Sequence, residues 1–282
     1  MYELRSPTVK RRRIAKELAT LRERAGLTRA AAAKALDMSP GNLGRIENRE
    51  ITARPVVVRA ALALYGVTGD DAEALVELAR GATERGWWQN YGDVLPDWFG
   101  FYVGLEEEAA SIATYESEIV PGLFQTADYA REIFRLTTQD SDIEPKVAAR
   151  LRRQEILTRA DPVEVTAVLN EAVLLRPVGT AAQFRAQLEH LAGLFELPNV
   201  SIQVLPFAAG GHAAMTGPFM VIKFPDALDE PIVYLDNFTR GQVLEEPEHF
   251  TAYQDVHSRL RKLSLSPEES LDRIRVLIST IG

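Results

Sequence analysis

A chain of 282 residues, 46% hydrophobic and 26% charged, is longer than one hydrophobic core usually serves and has an ordinary globular composition, so two domains are expected. The lack of cysteine excludes a disulfide scaffold, thiol catalysis, iron-sulfur clusters and cysteine-ligated zinc, and fits a reducing cytoplasm. The net charge of −8 is uneven: residues 1–66 hold 14 Lys plus Arg against 6 Asp plus Glu, a balance of +8, and the remainder holds 18 against 34, a balance of −16. The first 80 residues read as consecutive helices. Ile14, Leu18, Leu21 and Ala25 share one helical face, with Gly26 as a stop. Thr28 caps an alanine-rich second helix that runs to Leu36, and Asp37 and Met38 form a turn. Ser39 followed by Pro40 starts a third helix that reaches about Asn48. A fourth covers residues 55–65 and a fifth covers 70–80.

Beyond Gly81 the texture changes. Residues 87–102 hold all three tryptophans, Trp87, Trp88 and Trp98, together with Tyr91, Phe99, Phe101 and Tyr102. Helices are expected at 106–115, 125–136, 144–159 and 183–195, and strands at 163–169, 200–205, 219–224 and 232–235. Two helices close the chain, at 249–263 and 267–281; Ser266, Pro267 and Glu269 supply a capping box with proline at the first position. Helices and strands mix without clean alternation, which makes the class of this part α+β.

The third helix carries a specific chemistry. With Leu43 at the centre of its inner face, steps of about 100° put Ile46 and Glu47 beside it and Gly41, Arg45, Asn48 and Arg49 opposite, with Asn42 on the flank. Arginine clamps guanine bidentately and asparagine does the same for adenine, so this outer face suits base reading in a major groove. A carboxylate aimed at DNA would be repelled by phosphate. Glu47 must therefore point inward, and Arg22, near the end of the first helix, is its natural ion-pair partner. The basic segment as a whole is either the footprint of a polyanion-binding domain or a solvated basic face.

The segment "LRERAGLTRAAAAKALDMSPGNLGRIENRE" resembles the lambda-repressor-like, Cro/C1-type helix-turn-helix family that includes the xenobiotic-response-element (XRE) regulators. The likeness is carried by "LRERAGLT" from Leu21 and "MSPGNLGRIEN" from Met38. It implies a DNA interface formed by Thr28, Arg29, Ser39, Gly41, Asn42, Arg45, Asn48 and Arg49. The family usually has glutamine and an acidic residue after the threonine that opens the second helix, where Arg29 and Ala30 stand here. Gly41 and Gly44 each weaken the recognition helix by about 1 kcal/mol relative to alanine. The remaining chain resembles the C-terminal domain of actinobacterial WhiJ-like regulators, through "ERGWWQNYGDVLPDWF" from Glu84, "YESEIVPGLFQTADYAR" from Tyr115, "RLRRQEIL" from Arg150, "NVSIQVLPF" from Asn199, "MTGPFMVIKFPD" from Met215 and "LSPEESL" from Leu265. That likeness implies a regulator whose large domain senses a ligand or binds a small partner protein encoded nearby.

Other features have two readings each. Lys10, Arg11, Arg12 and Arg13 form a basic arm toward phosphates or a solvated helix start; we take the arm, with Arg11 and Arg12 as contacts. The aromatic run reads as domain core or, through Trp87, Trp88 and Tyr91, as a ligand or partner surface. It contains no basic residue between Arg85 and Arg131, which argues against stacking on single-stranded nucleic acid. The glycine-rich loop 206–218 puts His212 and Met215 forward as ligand or partner contacts. The four histidines are not spaced as zinc ligands, and no HExxH, GxGxxG, P-loop or GxSxG motif occurs, so neither metal, cofactor nor catalytic site is expected. The longest apolar runs fall far short of the roughly 20 residues that span a bilayer, and the basic run at the start lacks the apolar segment of a secretory leader.

The sequence therefore predicts an N-terminal all-α five-helix helix-turn-helix domain over 1–80 and a C-terminal α+β domain over 81–282. The expected function is sequence-specific, cytoplasmic transcription regulation on double-stranded DNA by a homodimer, without enzymatic activity or membrane partner. A small-molecule effector or a small partner protein would address the large domain. The alternative is an antitoxin-like interaction module that captures a cognate protein and autoregulates its operon.

Overall fold

The computed structural model describes residues 4–137, 139–237 and 240–281. The chain divides into two compact units, Met1–Gln89 with Asp226–Asp229, and Asn90–Pro225 with Glu230–Gly282. The division falls at Gln89 against the expected residue 80; the fifth helix continues to Ala82, and the 7% exposed Trp88 falls in the first unit. Trp87 and Trp88 thus belong to the N-terminal unit.

The first unit contains α1 (Pro7–Arg24), α2 (Arg29–Ala35), α3 (Pro40–Glu47), α4 (Pro55–Leu64) and α5 (Asp70–Ala82). Its core is built from Ile14 and Leu18 of α1, Ala32 and Ala33 of α2, Leu43 and Ile46 of α3, Leu62 of α4 and Val76 and Ala79 of α5. The first four helices end in the same way. In each, the residue after the C-cap has positive φ (Gly26 69°, Asp37 52°, Arg49 67°, Gly66 80°). Paired backbone bonds then close the end, such as Gly26 N to Glu23 O at 2.9 Å with Leu27 N to Arg22 O at 3.1 Å. This double closure satisfies carbonyls that the helix leaves open and reverses the chain within three residues. For α2 it brings Ser39 directly to the start of α3, where its Oγ accepts from Asn42 N at 3.2 Å. Thr28 does the same for Ala31 N at 3.2 Å. The turn of the helix-turn-helix is therefore a C-terminal closure joined to an N-cap.

The second unit contains α6 (Asp97–Glu107), β1 (Ser111–Glu116), α7 (Ala127–Arg135), α8 (Asp140–Gln154), β2 (Glu164–Asn170), α9 (Glu171–Leu175), α10 (Ala181–Gly193), β3 (Val200–Leu205), β4 (Phe219–Lys223), β5 (Ile232–Asp236), β6 (Gly241–Leu244), α11 (Pro247–Leu263) and α12 (Pro267–Thr280). The strands form one mixed sheet in the order β3-β2-β1-β4-β5-β6. β1, β2 and β3 run parallel, whereas β4, β5 and β6 join antiparallel, with Ser111 opposite Glu164 on one side and Lys223 on the other. The helix expected at 106–115 is replaced: α6 stops at Glu107 and Ser111 begins the strand. Strand pairing on both sides satisfies the backbone of 111–116, and this long-range bonding overrides local pattern.

One sheet face, with Tyr115, Phe219, Val221 and Val233, packs against Phe250, Tyr253, Val256 and Leu260 of α11. That apolar stripe covers its own sheet. On the other face Tyr234 stacks on Tyr102 of α6, with centroids 4.1 Å apart. Beside them, Arg153 of α8 donates to both carboxylate oxygens of Glu106 at 2.7 and 2.8 Å. Strand β3 lies at the end of the sheet, where Ser270 Oγ of α12 accepts from Val204 N at 2.9 Å. The helix thus occupies part of an edge that would otherwise invite pairing. The protein is an all-α five-helix domain followed by an α+β domain, and no helix among the described residues is long and apolar enough to cross a membrane.

Candidate nucleic-acid interface

The α2–α3 pair positions a small polar surface. Leu43 and Ile46 face the core at 1% and 4% exposure, and by helical geometry the opposite side of α3 must point away from it. Gly41, Arg45 and Asn48 lie there, with Asn42 on the flank, and all four are exposed; Arg49, just past the helix, is half-buried. Thr28 and Ser39 are exposed caps that hold the N-termini of α2 and α3. An added Cβ would meet nothing within 4 Å at Gly41, and at Gly44 only Arg29 at an ordinary 3.5 Å. Neither glycine is demanded by packing inside this unit.

Glu47 is turned inward, its side chain 1% exposed. Arg22 Nε donates to its Oε1 at 2.7 Å and Arg22 Nη2 to its Oε2 at 3.1 Å, while Arg22 Nη1 bonds Leu27 O at 2.9 Å. This fork ties α1 to α3 and to the closure that ends α1. Arg29 Nε also reaches Glu47 Oε2, at 2.9 Å. Arg29 is therefore partly committed to the domain interior, although nearly half of its side chain remains exposed. Arg45 Nε lies 3.6 Å from Glu50 Oε2, with both side chains more than half exposed, so this pair is readily exchanged for another partner. Glu50 and the exposed Lys34 of α2 border the surface, and sequence reading did not single them out.

The basic run does not form an arm. It lies inside α1, which starts at Pro7, and residues one apart on a helix point about 100° from each other, so four in succession cannot share one direction. Lys10 lies across Gly81 of α5, where a Cβ would come within 2.6 Å of its Nζ. Arg13 pairs with Asp229, and with Asp226 at 3.0 Å, inside the same unit. Arg12 is 5% exposed, and burial pushes the pKa of Arg11 down. The run expected as a basic arm, with Arg11 and Arg12 as phosphate contacts, is thus part of the α1 helix.

The other expected contacts are spread over both units and form no single site within either. Trp87 and Trp88 meet edge to face at 6.0 Å in the first unit. Tyr91 closes a short helical turn in the second. His212 packs edge to face on Tyr115 at 5.5 Å, and Met215 is 73% exposed. No cluster of metal-ligating side chains occurs among the described residues.

Two family models match the chain. One, described as a Helix-turn-helix domain, covers residues 13–75. The other, described as a domain of unknown function, DUF5753, covers residues 99–276, more than half of the chain. The chain belongs to the DUF5753 family. No curated protein and no solved structure matches it. In this DUF5753 protein the Helix-turn-helix match contains the whole α2–α3 pair and most of its supporting core, which marks the N-terminal unit as a DNA-binding module of a regulator.

Proposed function

We propose that the protein is a sequence-specific transcriptional regulator of the XRE type. It docks α3 in the major groove, binds a near-palindromic operator as a homodimer, and uses its C-terminal domain to receive a small molecule or a small partner protein. It acts as a binding protein rather than a catalyst. The observation that carries this reading is the division of α3: Asn42, Arg45 and Asn48 are exposed on one side, and the only carboxylate of the helix is held in by Arg22 on the other. Such a face offers donors for base edges without presenting a like charge to phosphate. The XRE and WhiJ-like affinities are supported by sequence motifs, and two-fold binding by the habit of this fold class, whose half-sites lie about one helical turn apart.

Genomic footprinting followed by gel shifts tests the proposal. Arg45→Ala should cost about 1 to 3 kcal/mol on the operator and much less on unrelated DNA. Equal weakening on every sequence would reassign Arg45 to phosphate contact. Absence of any retarded band at low ionic strength would overturn DNA binding altogether, since electrostatic attraction is strongest there.

A further inference from the structure

The second unit holds a cavity of about 310 Å³ on the α6–α8 side of the sheet, walled by Trp98, Phe99 and Phe134, with Lys146, Arg150 and Asp236 on its surface. This volume is at the lower end of those that enclose small ligands, and aromatic walls with a few charged groups are the usual composition of such sites. Arg150 is the unusual member. Its guanidinium stands 4.9 Å from the centre of the Phe134 ring, and its Nη1 donates to the neutral amide oxygen of Gln125 at 2.5 Å. No carboxylate lies within ion-pair distance of it among the described residues, although Arg153, one turn on, is fully matched by Glu106. Part-buried cations are normally paired, so a guanidinium whose hydrogen bond goes to an amide, with no carboxylate within ion-pair distance, marks a place for an absent anion.

The surrounding charges agree. Glu116, at the end of β1, is pushed up to about 8, first by burial and then by Asp236, so at neutral pH it largely keeps its proton. Burial also pushes Asp236 up. Burial lowers Arg150 to about 10, which leaves it charged at pH 7. Glu116 thus compensates this cation poorly at neutral pH. Trp98 and Phe99 meet edge to face at 5.7 Å and give the cavity flat apolar sides.

We infer that this cavity binds a small aromatic anion, its ring against Trp98, Phe99 and Phe134 and its carboxylate on Arg150 with Lys146 beside it. This assignment rests on the reading of the C-terminal domain as the receiving part of the regulator and names the class of molecule received.

The test uses the full chain and 2-naphthoate as probe, followed by calorimetry and tryptophan emission, with 2-naphthylmethylamine as the cation of matching ring. Saturable 1:1 binding of 2-naphthoate is expected, at least tenfold tighter than the amine. Arg150→Met should weaken it at least tenfold, with the circular dichroism spectrum reporting the fold. Lys146→Met, at a half-exposed position, should weaken it severalfold and serves if Arg150→Met does not fold. Trp98→Phe should abolish most of the quenching and weaken calorimetric binding severalfold, which locates the ring. No saturable binding, equal affinity for the amine, or quenching that persists in Trp98→Phe would overturn the inference. Operator gel shifts without probe report on DNA binding separately, so loss of either result is attributable.

Discussion

Glu47 shows what a single side chain decides here. A carboxylate on the recognition helix would oppose phosphate if it faced out, and unpaired it would be costly if it faced in; the fork from Arg22 at 2.7 and 3.1 Å makes the inward position tenable. Both partners are 7% exposed, so removing one leaves the other as an uncompensated buried charge. Glu47→Gln should lower stability by about 3 kcal/mol or more, read from the denaturant midpoint. Arg29→Met, which removes the nearly half-exposed second donor, should cost less than about 1 kcal/mol. The double change Arg22→Met with Glu47→Leu should recover most of the loss, because an apolar pair of similar volume carries no desolvation cost. A small effect of Glu47→Gln alone would show that the pair is open in solution.

At the scale of the element, the helix ends carry most of the information. α1 and α4 place glycine at the positive-φ position after the cap, whereas α2 uses Asp37 and α3 uses Arg49 at φ 67°. Aspartate tolerates this region through its short polar side chain, but arginine pays the steric penalty of its Cβ. Arg49→Gly should therefore stabilise the protein by about 1 kcal/mol in thermal unfolding. If the strained arginine serves operator binding, the same variant should bind DNA more weakly while melting higher, the trade found where a functional residue occupies an unfavourable conformation. Higher melting with unchanged affinity would make Arg49 a bystander. These ends were legible because their signals are local: Gly26, Ser39-Pro40 and the Ser266 box each act within four residues. The strand at 111–116 was not, because its backbone partners lie about 50 and 110 residues away. The edge strand β6 escaped notice for a different reason: it is only four residues long and is defined by its pairing with the neighbouring β5.

For the whole molecule, the polar face of α3 could be read from a helical wheel, but the cavity could not, since it gathers residues from α6, α7, α8 and the end of β5. Charge asymmetry hinted only at different tasks for the two parts. Convergence of Glu116, Arg150 and Asp236 at one end of the sheet follows from topology: β1 and β5 both run antiparallel to β4, so their C-terminal ends lie on the same side. This convergence has a consequence for stability. Glu116 has a folded pKa of about 8 against an ordinary 4.5, with burial and Asp236 raising it and Arg150 opposing. Between those values the folded chain holds more protons than the unfolded chain. The contribution of this group is therefore complete below about pH 4.5 and is lost as pH rises through about 8. Asp236, also raised, acts in the same direction. Thermal unfolding measured from about pH 5 to 9 should show a decline that flattens in Glu116→Gln, and the variant should exceed the parent only at the alkaline end. Identical profiles for the two proteins would mean that Glu116 ionises freely and that Arg150 already has its counter-charge.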